Sequence, residues 1–297
     1  MTASNRGSRD ARAPASPHAA HEKSMRLKPI KDPLHRLRLA LNDARSRAQP
    51  PPPDPGFCVG LAKAGTHTVT EVMATGLRSA HEPEPHELIG LLARARAGQL
   101  PLEEARELFE WRQRRLRLQF ESSHLLGAFV PQLVEIFPES RFLLLVRDCR
   151  AWINSMINDE LYVRSTPGYP MWRVVFEQYL GPAGGCPPEE RVLEELELAP
   201  LECYVAFWTG EITSIMDAVP SGRLLVVRTE DLSREVATVA GFFGMPAPAP
   251  GAPHSYRAAG TRDVLAGIDP GHLDRVLARA APVTARVAAA CVAGGRG

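Results

Sequence analysis

The sequence lacks both a charge imbalance and a long hydrophobic run, and each absence excludes a class of protein. Its 297 residues include 35 Lys and Arg against 34 Asp and Glu, a formal net charge of +1 at pH 7. This near-equal balance of charges does not favour nucleic acid or a membrane surface as a partner. Any anion site must therefore be a local one. A membrane span needs about 20 apolar residues in a row, and a signal peptide needs an apolar core. The sequence contains neither.

Cysteine is sparse and has no recognisable pattern. The five cysteines, at positions 58, 149, 186, 203 and 291, are odd in number and have no metal-ligand spacing. This pattern indicates reduced thiols in a cytoplasmic protein and predicts neither a disulfide framework nor a metal site. The chain is long enough for one large domain with a substantial core. Its 44% apolar and 23% charged residues are ordinary values for a globular protein.

The composition divides the chain near residue 54. Residues 1–54 are rich in Ala, Arg, Pro and Ser and end close to a run of four prolines at 50–53. The first two dozen have almost nothing to bury, so we expect a largely disordered arm, with one basic helix near residues 34–41. A transit peptide is the alternative, although acidic residues in the arm count against it. Residues 55–297 are expected to form the functional domain.

Residues 57–73 contain the most informative pattern. An apolar run at 57–61 predicts a buried strand, and apolar residues at helical spacing after Thr66 predict a helix. Between them lies a turn with two glycines and one lysine, residues 60–66, which we call the glycine loop. Because the first N–H groups of a helix have no intrahelical partner and its dipole favours negative charge, the pattern predicts an anion site. The candidate binding residues are Gly60, Lys63, Ala64, Gly65, Thr66, His67 and Thr68.

The lysine of the glycine loop is not where the usual nucleotide-triphosphate loop has it. In that loop a lysine follows the second glycine and precedes a Ser or Thr that holds Mg²⁺. Here Thr66 follows Gly65, and the lysine is inside the loop, at Lys63. This arrangement favours an anionic nucleotide that reacts without a metal ion. The alternative is an ordinary strand-to-helix turn with a solvated lysine.

A second candidate site follows a later strand. Residues 141–146 are nearly all apolar, which is typical of a strand in a parallel sheet, and Arg147 comes directly after them. Ligands of such sheets bind beyond the carboxyl ends of the strands. Arg147, with Ser155 two helical turns further on, is therefore a candidate for holding a second phosphate. The alternative is a surface arginine and a serine in the middle of a helix.

The two motifs together resemble those of the sulfotransferases that use 3′-phosphoadenosine 5′-phosphosulfate (PAPS). The glycine loop resembles the family's 5′-phosphosulfate loop at Lys63, Gly65 and Thr66. His67 stands where the family's loop has a second threonine, and Thr68 is the candidate to supply the missing hydroxyl contact. The later motif resembles the family's 3′-phosphate pattern. It matches at Arg147, Asp148 and Ser155, and Cys149 replaces the common proline.

This resemblance implies a P-loop-like α/β fold, with one parallel sheet flanked by helices on both faces. It implies transfer of the sulfuryl group from PAPS to an acceptor hydroxyl or amine, with a small molecule as the expected acceptor and no metal. Lys63 would neutralise charge on the leaving phosphate, and backbone amides of residues 64–68 would hold that phosphate. Arg257 and Arg262 are candidates for a further 3′-phosphate contact. The alternatives are a metal-dependent nucleotide kinase or NTPase, and a relative that binds the nucleotide without turnover.

An acceptor hydroxyl must lose its proton, so a base is expected near the sulfuryl group. His81 and Glu82 end a segment expected to form a second parallel strand beside the first, and carbohydrate sulfotransferases carry a Glu-Pro pair in a similar place. Glu82 is the first candidate for the base, His81 the second, and His124 the third. The alternative role for Glu82 is to cap the helix that starts near Pro85.

The remaining expectations concern the surroundings of these motifs. Strands are expected at 120–124 and 223–228, and the alternation with helices predicts a parallel sheet covered on both faces. A continuous helix is expected over 189–219. Residues 159–187 are expected to be rich in loops, with aromatic side chains that form an acceptor wall or a satellite core: Tyr162, Tyr169, Trp172 and Phe176. Four arginines are expected to form a solvated basic face, with a polyanionic acceptor as the alternative: Arg112, Arg114, Arg115 and Arg117.

Overall fold

The structure, a computed structural model, describes residues 54–246 and 262–294, with side chains as far as residue 291. The predictions for the arm at residues 1–53 and for Arg257 lie outside the described residues. Within them, the chain alternates strands and helices as the sequence predicts.

Five strands form one parallel sheet in the described part of the chain. They are β1 (Gly56–Gly60), β2 (Ser79–His81), β3 (Phe120–Ser122), β4 (Phe142–Val146) and β5 (Leu224–Arg228). Their order in the sheet is β2-β3-β1-β4-β5, so β1 is central. Cys58 of β1 lies opposite Ser122 on one side and Leu143 on the other. The apolar runs of β1 and β4 are buried, as expected for parallel strands with both faces covered.

The helices that flank the sheet supply the rest of the core. They are α1 (Thr66–Met73), α2 (Pro85–Arg96), α3 (Leu102–Leu116), α4 (Val130–Ile136), α5 (Cys149–Val163), α6 (Tyr169–Leu180), α7 (Arg191–Glu195), α8 (Leu201–Ala218), α9 (Leu232–Phe242), α10 (Pro270–Leu277) and α11 (Ala281–Gly294). Trp152 of α5 is fully buried and its ring lies 5.9 Å from that of Phe207 in α8. The predicted α/β fold, a parallel sheet flanked by helices, is confirmed.

One prediction about strand order is wrong. The strand that ends at His81 was expected beside the first strand, but β3 lies between them. The side chains explain the order. β3 contributes the large apolar side chain of Phe120, which is fully buried, whereas β2 has no large apolar residue and takes the partly buried edge position.

Two predictions about helices are also wrong. Residues 159–187 are mostly helical, because α5 continues to Val163 and α6 begins at Tyr169, with Pro170 in its first turn, where proline is tolerated. The expected helix over 189–219 is broken between α7 and α8. Pro200 lies at the break and caps α8, since proline lacks the N–H that a continuous helix would need.

The predicted solvated basic face on α3 is wrong at one position. Arg112 is buried, with only 2% of its surface exposed. Arg114 and Arg115 are exposed as expected, although Arg115 also pairs with Glu84 and Glu87. Three glutamates surround the Arg112 guanidinium, which therefore has anionic partners within the protein.

No helix among the described residues is both long enough and apolar enough to cross a membrane. The cytoplasmic location expected from the cysteine pattern stays a prediction.

Candidate functional site

The glycine loop joins β1 to α1 at the carboxyl edge of the sheet. Gly60 and Gly65 have φ angles of 118° and 101°, in the region that favours glycine. A Cβ at Gly60 would also lie 2.8 Å from a methyl group of Leu144. Lys63 itself has a φ of 63°. Both glycines are therefore required by the backbone of the loop, as the sequence pattern suggested.

Three successive carbonyl groups of the loop accept hydrogen bonds from side chains that follow neighbouring strands or belong to α5. The pairs are Trp152 Nε1 to Ala62 (2.9 Å), Arg147 Nη1 to Lys63 (3.3 Å) and Thr229 Oγ1 to Ala64 (2.7 Å). The loop is thus fixed from three directions. Within the described residues, no side chain caps the N-terminus of α1, whose first N–H groups lack intrahelical partners.

The side chain of Lys63 reaches α5. Its Nζ lies 2.8 Å from Oδ1 of Asp159, and both side chains are largely buried, with 19% and 28% exposed. The predicted cation of the loop is therefore held beside a carboxylate.

The start of α1 is linked to the end of β2 by polar and ring contacts. Thr66 Oγ1 lies 2.9 Å from His81 Nε2, within hydrogen-bond distance. The rings of His67 and His81 stack, with centroids 3.6 Å apart and an angle of 21° between their planes. His67, which replaces a threonine of the sulfotransferase pattern, thus packs on one of the candidate bases.

Glu82 follows His81 in a turn with a strained backbone. Its φ is 45°, and its N–H donates to the carbonyl of Ser122 at 2.9 Å. Glu82 does not cap α2, because Glu84 is the N-cap residue and, in the described chain, makes no side-chain cap hydrogen bond. Burial raises the pKa of Glu82 to about 7, with Asp159 adding to the rise and Lys63 opposing it.

Two histidines lie against the Glu82 carboxylate. His124 Nε2 is 3.3 Å from Oε1 of Glu82, and His81 Nε2 is 3.7 Å from the same atom. Burial lowers the pKa of each histidine to about 3, with the charge of Lys63 contributing in both cases. The three candidate bases are therefore one cluster, in which both histidines are neutral at pH 7.

His124 is oriented from its other side by α6. Its Nδ1 lies 2.8 Å from the hydroxyl of Tyr179, and burial raises the pKa of that hydroxyl well above its ordinary value. A neutral His124 that accepts a hydrogen bond from the Tyr179 hydroxyl at Nδ1 carries its own proton on Nε2, the atom that faces Glu82. Trp172 also belongs to this region, with its ring 5.8 Å from that of His124.

Comparison with known proteins identifies the family of this chain. A model of the family described as Sulfotransferase domain matches residues 57–260, more than half of the chain. The chain belongs to the sulfotransferase family. No curated protein sequence matches it.

Several solved structures resemble this sulfotransferase family member at low identity. A sulfotransferase from Alicyclobacillus acidocaldarius is 15% identical, with 82% of this chain and 99% of that chain covered and a TM-score of 0.47. The sulfotransferase domain from the curacin biosynthetic pathway is 16% identical, with 76% and 87% covered and a TM-score of 0.41. The sulfotransferase domain from the Synechococcus PCC 7002 olefin synthase is also 16% identical, with 76% and 85% covered and a TM-score of 0.37.

The residues predicted for the second phosphate are only partly brought together. Arg147 contacts the glycine loop through the carbonyl of Lys63, and its own carbonyl accepts from Trp208. Ser155 is buried within α5. Arg262 is exposed, and its backbone exchanges two hydrogen bonds with Asn158, one turn beyond Ser155 on the same helix. In this sulfotransferase, Arg262 therefore lies against the side of α5.

The sequence interpretation missed Asp159 and Tyr179. Asp159 lies on α5 about one turn beyond Ser155, and Tyr179 lies on α6, in the segment expected to be rich in loops. A helical spacing of Trp172, Val175, Phe176 and Tyr179 could have identified α6, but no local pattern marks either polar contact.

Two further features of the described chain bear on the site. No group of three or more His, Cys, Asp or Glu side chains among the described residues is arranged to hold a metal ion. A cavity of about 650 Å³ lies between α5, α6 and the segment after α7, lined by residues that include Arg164, Tyr169 and Phe176. Its lining contains none of the glycine-loop or Glu82-cluster side chains in the described chain, so we do not assign it to the site.

Proposed function

We propose that this chain is a PAPS-dependent sulfotransferase that moves the sulfuryl group to a hydroxyl or amine of a small molecule and leaves adenosine 3′,5′-bisphosphate. The observation that most directly supports the proposal is the 2.9 Å contact between Thr66 Oγ1 and His81 Nε2. It joins the N-terminus of α1 to the turn that carries Glu82. An anion-binding element and a group suited to accept a proton are therefore immediate neighbours.

The residues of the glycine loop fit an anionic donor. The N-terminus of α1 offers N–H groups and a positive dipole end. Of two nearby cations, Lys63 belongs to the loop and Arg147 donates to its backbone. Bound PAPS would supply the sulfuryl group to be transferred. In the proposal the backbone amides of residues 64–68 hold the phosphate attached to it, and Arg147 and Ser155 hold the 3′-phosphate. Arg262 on the flank of α5 is a further candidate for that contact.

Lys63 is the residue proposed to stabilise the leaving phosphate. Transfer of this kind depends on positioning and on stabilisation of developing charge. An ammonium group inside the loop is close to any phosphate that the loop holds. Its partner Asp159 fixes the side chain on one side, so little reorganisation is needed when charge develops.

Glu82 is the residue proposed to accept the proton of the acceptor. A base works best when its pKa lies near the operating pH. The pKa of Glu82, raised to about 7 by burial, meets that condition, whereas the pKa of about 3 for His81 and for His124 makes both weak bases. His124 and Tyr179 orient the carboxylate, and Trp172 beside them is a candidate for contact with the acceptor.

A pair of binding and product measurements tests the proposal. Calorimetric titration should show binding of PAPS and of adenosine 3′,5′-bisphosphate in preference to ATP with Mg²⁺. Mass spectrometry should detect a sulfonated product when the protein and PAPS are incubated with a panel of phenols, alcohols, sugars and amines. Preferential binding of ATP with Mg²⁺ would favour the nucleotide kinase instead. Binding of PAPS with no product across the panel would favour a relative without turnover.

A further inference from the structure

The turn that carries Glu82 has an unusual backbone. Glu82 and Glu84 have φ angles of 45° and 53°, in the left-handed region, and each precedes a proline, Pro83 and Pro85. Residues other than glycine rarely adopt this conformation, and a following proline normally favours extended backbone. Two such residues in one turn persist only where the surrounding structure holds them. The turn comprises residues 82–84, and we call it the Glu82 turn.

A single buried guanidinium contacts this turn. Arg112 of α3 donates from Nη2 to the carbonyl of Pro83 at 3.0 Å and from Nη1 to the carbonyl of Glu84 at 3.4 Å. The same group is anchored to Glu121 of β3 at 2.8 Å and to Glu87 of α2 at 3.0 Å. One planar side chain therefore ties both carbonyls to the sheet and to the following helix.

The anchoring partners of Arg112 are themselves buried or paired. Arg112 is 2% exposed and Glu121 is 6% exposed, and the backbone of β3 that carries Glu121 also accepts the N–H of Glu82 through Ser122. The neighbouring Arg115 pairs with Glu84 and Glu87, so its charge offsets part of the excess of carboxylates.

We infer that Arg112 is a positioning residue for the reaction, which holds the Glu82 turn so that the Glu82 carboxylate faces the glycine loop. This inference rests on the proposed role of Glu82 as the base. A planar guanidinium with five fixed donors can satisfy two carbonyls and two carboxylates together, which the compact ammonium of lysine cannot do. Arg112→Lys should therefore release the turn although it keeps the charge.

The test combines kinetics with hydrogen exchange in the full chain. Arg112→Lys should lower kcat by about tenfold to a hundredfold, as expected when a catalytic group is misplaced by about 1 Å. Affinity for adenosine 3′,5′-bisphosphate should stay within about twofold of the wild type. Amide exchange in a peptide spanning residues 79–88 should become faster. Arg115→Lys is the matched control, because Arg115 lies on the same helix and contacts Glu84 and Glu87 through their carboxylates. It should change none of the three readouts by more than about twofold.

A second variant keeps the test decisive if Arg112→Lys does not fold. The double substitution Arg112→Met with Glu121→Met removes the two most buried charged groups of this cluster together, a change that proteins often tolerate without loss of stability. It also removes the donors to Pro83 and Glu84, so kcat and exchange should change as for Arg112→Lys. Unchanged exchange in the 79–88 peptide, or a full rate, would overturn the inference.

Combination with Glu82→Gln separates this inference from the proposed function. If Arg112 acts through Glu82, Arg112→Lys should cause no further loss of kcat in a Glu82→Gln background. Losses that multiply would mean that Arg112 acts by another route, and the inference would fail. A full rate for Glu82→Gln alone would overturn the proposed role of Glu82 as the base. Faster exchange of the turn in Arg112→Lys would then show that Arg112 holds the backbone but has no role in the reaction.

Discussion

Lys63 Nζ lies 2.8 Å from Asp159 Oδ1, and this contact connects the glycine loop to a residue of α5 that is 96 positions further along the chain. Asp159 also contributes to the raised pKa of Glu82, which Lys63 opposes. One carboxylate therefore acts on both proposed catalytic groups, holding the cation of the loop and disfavouring ionisation of the base.

Replacing Asp159 by Asn should have two separable effects. Lys63 would no longer be paired with a carboxylate, so adenosine 3′,5′-bisphosphate should bind a few-fold tighter, in line with about 0.2–1 kcal/mol for a partly exposed ion pair. Loss of a negative neighbour should also lower the pKa of Glu82, so the rise of kcat/KM with pH should move to lower pH. Calorimetry and a pH–rate profile measure the two effects. Unchanged or weaker binding together with an unshifted profile would contradict both expected effects.

The glycine loop was predictable because its information is local. Gly60 and Gly65 have positive φ angles that the sequence pattern of strand, turn and helix already requires, and Lys63 lies between them. The contacts of Asp159 and Tyr179 with the site were not predictable, because they join segments far apart in sequence through ordinary helical positions. Arg112 illustrates the same limit, since four arginines within six positions indicate a solvated face until Glu121 of the neighbouring strand is placed beside one of them.

Lys63 offers a chemical test, because it is the only lysine after residue 54. Acylation with an amine-reactive reagent, followed by peptide mass spectrometry, should modify Lys63, and saturating adenosine 3′,5′-bisphosphate should slow that modification. Lys63→Met should lower kcat by about a hundredfold to a thousandfold, as for loss of one donor to a developing charge, with a smaller effect on nucleotide affinity. Equal labelling with and without nucleotide, together with a normal kcat, would remove Lys63 from the proposed site.

Arg147 should distinguish nucleotides by their 3′-phosphate. Loss of a buried charged contact costs about 2–5 kcal/mol, so Arg147→Met should weaken PAPS strongly and adenosine 5′-phosphosulfate, which lacks the 3′-phosphate, much less. Because Arg147 also donates to the carbonyl of Lys63, a small loss is expected for both nucleotides. Arg150→Met is the control, since Arg150 is exposed in the first turn of the helix that follows Arg147. An equal loss for both nucleotides would limit Arg147 to holding the loop.

The buried histidines should destabilise the fold at acid pH. Burial lowers the pKa of His124 from 6.5 to about 3, so between these values the unfolded chain binds a proton that the folded chain does not. The free energy of unfolding should therefore fall as pH decreases from about 6.5 toward 3, by at most about 1.4 kcal/mol per pH unit for one group. His124→Gln should remove this contribution, and urea unfolding at pH 7 and pH 4.5 measures it. His86→Gln, at an exposed position on α2, is the control, and an identical pH dependence in both variants would contradict the prediction.

Glu82→Gln should separate catalysis from stability at the proposed base. Because burial raises the pKa of Glu82 to about 7, the wild-type kcat/KM should increase as pH rises through about 7 and the carboxylate forms. Glu82→Gln keeps the shape but removes the basicity, so the rate at pH 8 should fall at least about a hundredfold and this increase should disappear.

The stability of the Glu82→Gln variant should change in the opposite direction to its rate. Between about pH 4.5 and 7 the folded state holds a proton on Glu82 that the unfolded state releases, so this group lowers stability as pH rises through that range. At pH 8 the variant should therefore be more stable than the wild type, and near pH 4 the two should be equal. Glu84→Gln, in the same turn, should leave the pH–rate profile unchanged. A rate loss shared by both variants, or a Glu82→Gln variant that is less stable than the wild type at pH 8, would mean that Glu82 supports the turn instead of accepting the proton.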